Sequence, residues 1–543
     1  MKTVNLLIVL IFLYGSLNSS ILTVPESSEY KRTSLYSEVM DFLNYIKKSS
    51  GKIKIASLCK TTEGRDVPLV IVSNEGISSP EQMKALNKRA VLFMANIHAG
   101  EIEGKEASLM FLRDIAENKS GDILKDQVIL VIPIFNADGN EKMGKNRRDN
   151  GPELAGVRHN GQFLDLNRDY IKLESPEVNA LIGLFREWDP VLFVDLHTTN
   201  GSYHREPVTY STLSNPNSNK KLMNFMWNKL FPAVQKIMKT RFRTDAIPYG
   251  NFVDRSAPEK GWRNHAYEAR FGTNYAGLRN RFTILDENYS HADFKTRVLS
   301  AYYFVRSISE FTSKNIIEMG AMVKKADLET ISGYSSGSHV LTYKREPGKL
   351  FDFTIKSYEF EKEKIKPEDR HKYPPWIKDF IIKKTDRLKD YKVSYFAKAI
   401  PDITTDLPSA YIILPYHNEV ISNLQKHGII VERIEEEFSG KFENFVISDI
   451  QYAKSLYQGH ILLDIKGDYK KVTRKIPAGS YLVPMNQPLA RLIAELLEPG
   501  SGDSLLKWGF FNREIVKQWT RRPGMYPVLK LFDDKINILS VRE

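Results

Sequence analysis

The sequence predicts an α/β fold, a mixed and mostly parallel sheet flanked by helices, followed by a strand-rich α+β region. Three observations predict it. Apolar runs of strand length alternate with helical periodicity up to about residue 315. Several of these runs end in polar residues, as in "AVLFMANIHAGE" and "PVLFVDLHTTNG". Beyond Asn315 the alternation stops, and stretches such as "HVLTYKREPGKLFDFTIKSYEFEKE" read as strands.

In chain order, residues 1–20 ("MKTVNLLIVLIFLYGSLNSS") pair Lys2 with a short apolar core and small polar residues, the pattern of a secretory signal peptide. The apolar run is too short to span a bilayer comfortably, so removal is expected rather than a retained anchor. Residues 37–50 read as an amphipathic helix. "KIKIASLC" and "VPLVIVSN" read as strands around the turn-rich "KTTEGRD". Further strands are expected at 90–97, 127–135, 190–196 and 281–285, with helices at 103–117, 175–188 and 220–239. In the C-terminal part, strands are expected at 339–363 and 391–400 around a basic, proline-bearing linker. A short helix should stop at Gly428, and another should run from Pro488 to Pro499. These readings divide the chain into a signal (1–20), a catalytic unit (28–318) and an accessory region (319–543).

Composition narrows the class. Hydrophobic residues make up 42% of the 543, enough for a sizeable core, and charged residues 27%. The net charge of +12 raises the question of nucleic acid, but the basic residues are mixed with acids, as in "KEKIKPEDRHK", and no nucleic-acid motif is evident. No nucleic-acid partner and no stable membrane insertion after signal removal are expected. The single cysteine, Cys59, rules out an intrachain disulfide. The expected location is secreted or periplasmic.

The chemistry concentrates at strand ends, where open α/β sheets bind ligands. His98 and Glu101 lie three residues apart where a strand gives way to a helix, and His197 directly follows another strand. A catalytic zinc site takes three such ligands and leaves one position for water. It also needs a base, and "RFTILDENYS" offers Asp286 and Glu287. A cation near a developing oxyanion could come from Arg147, Arg148 or Arg158. Asn167 and Arg168 in "FLDLNRDY" offer a fork for a carboxylate.

The ordered set "TTEGRDVPLVIVS", "NIHAGE", "IFNADGNE", "VRHN", "LDLNRDY", "VDLHTTNG" and "NYAGLRNRFTILDENYS" resembles the M14 zinc carboxypeptidases over roughly residues 35 to 315. The helix that follows and the C-terminal "PAGSYLVPMNQPLARLIAELLEPGSGDSLLKWGFF" resemble a bacterial branch with an extra domain. The resemblance implies one zinc ion per chain on His98, Glu101 and His197. It implies Glu287 as catalytic base, with Asp286 next. It implies Arg158 as the group polarising the scissile carbonyl, with Arg148 second. Asn167 and Arg168 would clamp the C-terminal carboxylate, and Tyr275 would stand for the family's mobile tyrosine. Gly100 departs from the family, many of whose members carry arginine there. The implied activity is removal of the C-terminal residue from peptides with a free carboxylate. The alternatives are a zinc amidase or deacylase acting on N-acyl amino acids or cell-wall peptides, and a non-catalytic binding protein. No propeptide domain fits between signal and catalytic unit.

Overall fold

The computed structural model describes residues 20–148, 150–333, 337–373, 375, 377, 379–515 and 524–532. Residues 1–19, which hold nearly all of the expected signal, lie outside the described residues. Among the described residues, no helix is long and apolar enough to cross a membrane.

The N-terminal part is built on an eight-stranded sheet. Its strands are β1 (Ile53–Lys60), β2 (Asp66–Val72), β3 (Arg89–Ala95), β4 (Gln127–Ile132), β5 (Leu192–Thr199), β6 (Val208–Ser211), β7 (Ala246–Pro248) and β8 (Phe282–Tyr289). They lie side by side in the order β1-β2-β4-β3-β5-β8-β6-β7. The four central strands β4, β3, β5 and β8 are parallel. β6 and β7 are parallel to each other, and the remaining neighbours are antiparallel. The sheet is thus mixed with a parallel centre. β3 and β4 are buried along nearly their whole length, as a strand covered on both faces must be.

Helices α1 (Tyr36–Ser49), α2 (Glu103–Ala116), α3 (Pro176–Trp188) and α4 (Phe294–Gly333) cover the sheet. α3 has Ser175 as its N-cap, whose side chain accepts from the Val178 amide, and Pro176 in the first turn, where a missing N–H costs nothing. The helix expected at 220–239 is interrupted. A π turn at Met226–Leu230 separates Lys220–Phe225 from Phe231–Phe242, with Pro232 in the first turn of the last segment.

The expected boundary at 318/319 falls inside α4, one helix of 40 residues, about 60 Å at 1.5 Å per residue. The strand-rich part begins only at β9 (Ser338–Tyr343). β10 (Gly348–Lys364) and β11 (Phe380–Lys398) form a long hairpin, so the expected strand at 391–400 starts much earlier. Two short strands from the N-terminal part, Asn251–Phe252 and Trp262–Arg263, join this hairpin in one sheet. A six-stranded sheet follows. It includes β13 (Ala410–Ile413), β14 (Phe438–Tyr452), β15 (Leu463–Ile476), β16 (Tyr481–Pro484) and β17 (Met525–Leu531), with β12 (Pro401–Asp406) pairing β9 outside it. Helix α5 (Asn418–Lys426) ends before Gly428, whose φ of 85° is the left-handed conformation a helix stop favours.

The two parts share one hydrophobic core. Leu181, Phe185 and Trp188 of α3 belong to the same buried cluster as Tyr411, Leu424, Leu492 and Trp508. Asn423 reinforces the seam by donating to the carbonyls of Ile171 and Lys172.

Candidate active site

β3 ends at Ala95, and the chain turns sharply at Asn96, whose φ is 64°. The Asn96 side chain donates to the carbonyls of Ala99 and Glu101, and the Glu101 amide to the His98 carbonyl. This loop delivers His98 and Glu101 together at the edge of the parallel strands. His197 lies in β5, next to β3. One ligand atom from each of His98, Glu101 and His197 lies within 4.8 Å of the others, all three buried, so the group could hold a metal ion.

The contacts fit that use. Glu101 Oε1 lies 3.0 Å from His98 Nδ1, and Glu101 Oε2 lies 2.9 Å from His197 Nδ1. The two Nδ1 atoms are 3.2 Å apart. Each ring has a carboxylate behind it: His98 Nε2 lies 3.0 Å from Asp165, and His197 Nε2 lies 2.9 Å from Asp195. An aspartate at Nε2 favours the proton there and leaves the Nδ1 lone pair facing the other ligands. Two lone pairs and a carboxylate aimed at one point repel unless a cation or proton intervenes. Two imidazoles and a carboxylate are donor types that zinc takes. Burial pushes the Glu101 carboxyl up, but His98, Arg148 and His197 outweigh it and hold it well below the usual range. Burial likewise opposes the charge on His197, but Asp195 and Glu101 outweigh it and raise that imidazole well above its ordinary value.

Glu287 sits beside His197. β8 pairs in parallel register with β5, Glu287 opposite His197. Adjacent in-register residues share a sheet face, so the carboxylate and the imidazole point the same way. The strand runs on to Tyr289, paired with β5 as far as Thr199 and with β6 along its other edge from Leu285 to Asn288. Burial pushes the Glu287 carboxyl up to about 8, against the pull of His197 and with the help of Glu101. Asp286 takes the opposite face, is fully buried, and accepts from Asn288. Burial first, then Glu287, raises its carboxyl well above the usual range.

The arginines separate by environment. Arg148 donates to Glu101 Oε1 at 2.8 Å and to the carbonyls of Thr198 and Gly100. A Cβ at Gly100 would come within 2.9 Å of the Gly156 carbonyl, so this approach requires glycine. Arg158 donates through Nε to Asp165 while its side chain stays 48% exposed, with Nη1 3.5 Å from Glu101. Arg147 is exposed and makes none of these contacts. Asn167 and Arg168 follow in a short 3-10 turn capped by Asp165. Asn167 accepts from the Gly272 amide, and Arg168 stacks on Phe271 with its guanidinium 4.5 Å from the ring centre.

Tyr275 is a correction. It is fully buried in the helix Gly272–Leu278, its ring against Tyr170 and its hydroxyl 2.8 Å from His427 Nδ1. Tyr249 lies within the electrostatic reach of Glu287: that carboxylate, then burial, raises its hydroxyl above the ordinary value. Sequence reasoning also passed over Asp165 and Asp195. For Asp195 a signal existed, since in a strand "DLH" puts Asp195 and His197 on one face. Nothing local marked Asp165 as the partner of His98.

Residues 39–276 match the family model described as zinc carboxypeptidase; Glu287 lies beyond the matched segment. Carboxypeptidase 2 of Trichophyton rubrum is 23% identical over 493 residues, covering 87% of this chain and 81% of that protein, so the similarity extends into the C-terminal half. Cytosolic carboxypeptidase 2 of Macaca fascicularis is 27% identical over 255 residues, 43% of this chain and 27% of that one. A metallo-carboxypeptidase structure from Burkholderia cenocepacia aligns at 15% identity with a TM-score of 0.40, covering 53% of this chain and 71% of that chain. The segment 39–276 is thus similar to the M14 zinc carboxypeptidases, a family of peptide hydrolases.

Proposed function

We propose that the chain is an exported, zinc-dependent carboxypeptidase that hydrolyses the last peptide bond of peptides with a free C-terminal carboxylate. One zinc ion would be held by His98, Glu101 and His197. The observation that carries the reading is the meeting of two imidazole Nδ1 atoms and one carboxylate, each ring backed by an aspartate, beside Glu287. The catalytic unit spans residues 28–318, with the rest of α4 as its link to 319–543. Export rests on the signal-like first 20 residues.

When bound, zinc supplies a Lewis acid that polarises the scissile carbonyl and makes water more acidic. Glu287 takes a proton from the attacking water and delivers it to the leaving amine. Its burial raises its affinity for that proton. Arg158, half-exposed, carries the free donors that can meet the negative charge growing on the carbonyl oxygen. Arg168 and Asn167 bind the substrate carboxylate and so fix which bond lies next to Glu287. Asp165 holds the His98 imidazole in one tautomer and orientation, and the Asp195 carboxylate stands 2.9 Å behind the His197 ring, where it favours a positive charge on that imidazole.

Three substrate classes test the reading: benzoylglycyl peptides with varied C-terminal residues, N-acyl amino acids and muropeptides, each with and without chelator. Chelator-sensitive release of the C-terminal amino acid from the peptides is expected. Turnover confined to N-acyl amino acids or muropeptides would make the chain an amidase. No turnover of any of them by the zinc-loaded protein would favour a binding role.

A further inference from the structure

The C-terminal half reaches the carboxylate-binding segment directly. Between β14 and β15 the chain makes a two-residue hairpin turn, closed by the Tyr457 amide donating to the His460 carbonyl at 2.8 Å and the reverse bond at 3.0 Å. Its two central residues, Gln458 and Gly459, have φ of 51° and 80°. Such turns favour Asn, Asp or Gly, and a glutamine is an uncommon choice for a left-handed backbone. Strain of this kind persists where surrounding contacts hold it.

Those contacts fall on the substrate side. Gln458 Oε1 accepts from the Asp165 amide at 2.9 Å, and Tyr457 Oη accepts from Arg168 Nε at 3.0 Å. The turn is fastened around them. Arg270, paired with Asp503, lies over both the Tyr457 and Trp508 rings, and His460 Nε2 is 2.7 Å from Glu174. Arg168 is thereby fixed in three directions. Nε is taken by Tyr457, one Nη1 hydrogen goes to the Asn167 carbonyl, and the guanidinium face rests on Phe271. Of its five N–H donors, one on Nη1, with Asp165 Oδ2 3.8 Å from that nitrogen, and both on Nη2 remain, along the open edge of the fork. That edge matches the two oxygens of a carboxylate and mismatches a primary amide, which would present its own donors to it.

We propose that the Tyr457–Gln458 turn of the C-terminal half forms a wall of the substrate-carboxylate subsite. In it Tyr457 is a positioning residue that aims Arg168, and Gln458 holds the Asp165–Arg168 segment in place. This rests on the reading of Arg168 as the carboxylate clamp. The accessory region is then part of the specificity apparatus of the catalytic unit.

The test uses the full-length zinc-loaded chain, with the best-cleaved benzoylglycyl peptide and the same peptide as its C-terminal amide. Tyr457→Phe keeps the ring stacking and removes the hydroxyl. It is expected to raise KM for the free acid roughly tenfold, with kcat within about twofold and an unchanged melting temperature, since hydrogen bonds involving charged groups have about that worth. Discrimination between acid and amide should narrow by the same factor. In a Glu287→Gln background, calorimetry should find the same loss in peptide Kd. Gln458→Gly, which suits the turn's backbone, should weaken peptide binding several-fold without lowering the melting temperature. Unchanged KM and Kd in Tyr457→Phe, alongside a large rise in Arg168→Ala, would overturn the proposal and leave the clamp standing. Unchanged values in Arg168→Ala would overturn the clamp itself, and the proposal with it. Loss of kcat and melting temperature in Tyr457→Phe, with acid–amide discrimination retained, would reduce the turn to a structural strut.

Discussion

Replacing Glu287 by glutamine is expected to lower kcat about 10²- to 10⁴-fold while bound zinc and peptide affinity persist. The side chain keeps its size and its place beside His197 in the β5–β8 register, and only the proton acceptor is lost. Asp286→Asn should cost far less. Asp286 points to the opposite face, is fully buried, and accepts from Asn288, so it has no access to the reacting atoms. Steady-state kinetics with metal analysis on both variants reads the difference. If Asp286→Asn is the dead variant and Glu287→Gln turns over normally, the water-activating base has been assigned to the wrong neighbour.

Removing either imidazole is expected to empty the metal site. His98→Ala or His197→Ala leaves two protein ligands from three and strands an aspartate, Asp165 or Asp195, behind the gap. A catalytic zinc site reduced in this way becomes a poor chelator. Elemental analysis after dialysis should find well under one zinc per chain in both. The wild-type chain should melt higher with zinc than with chelator, and the variants should lose that difference, because a ligand that binds only the folded state stabilises it. Near-stoichiometric zinc in either variant would take that histidine out of the ligand set.

Much of this arrangement was legible in the sequence, for reasons that can be named. His98, Glu101, His197 and Glu287 stand at or near the ends of apolar strands, and parallel strands bring such ends to one edge. Their convergence follows from topology, which alternating strands and helices already imply. Tyr275 misled because distance along the chain carries little information where the chain makes an excursion out of the main sheet. Between Tyr249 and Glu287 the chain leaves the main sheet to add Asn251–Phe252 and Trp262–Arg263 to the β10–β11 hairpin. That one helix runs across 318/319 was not legible, because a helix spanning two halves has no composition break at the seam. Asp165 was invisible as the partner of His98 because it comes from a different loop, 67 residues away. The Tyr457–Gln458 turn was further still from the site in sequence, and its hairpin carries no catalytic pattern.

The order of strands in the main sheet also sets a clock. β3, β5 and β8 are neighbours in space, yet each is separated from the next by a long excursion of the chain. Contacts between distant segments form late, because loop-closure entropy must be met before the contact gives anything back. The β10–β11 hairpin joins adjacent segments and can form early. In refolding from denaturant, hairpin formation should therefore come first and zinc capture should coincide with the slowest phase. With Cys59 as the only cysteine, no intrachain disulfide can set that pace. Zinc captured in the earliest phase, monitored with a fluorescent chelator, would mean that His98, Glu101 and His197 meet before the sheet exists.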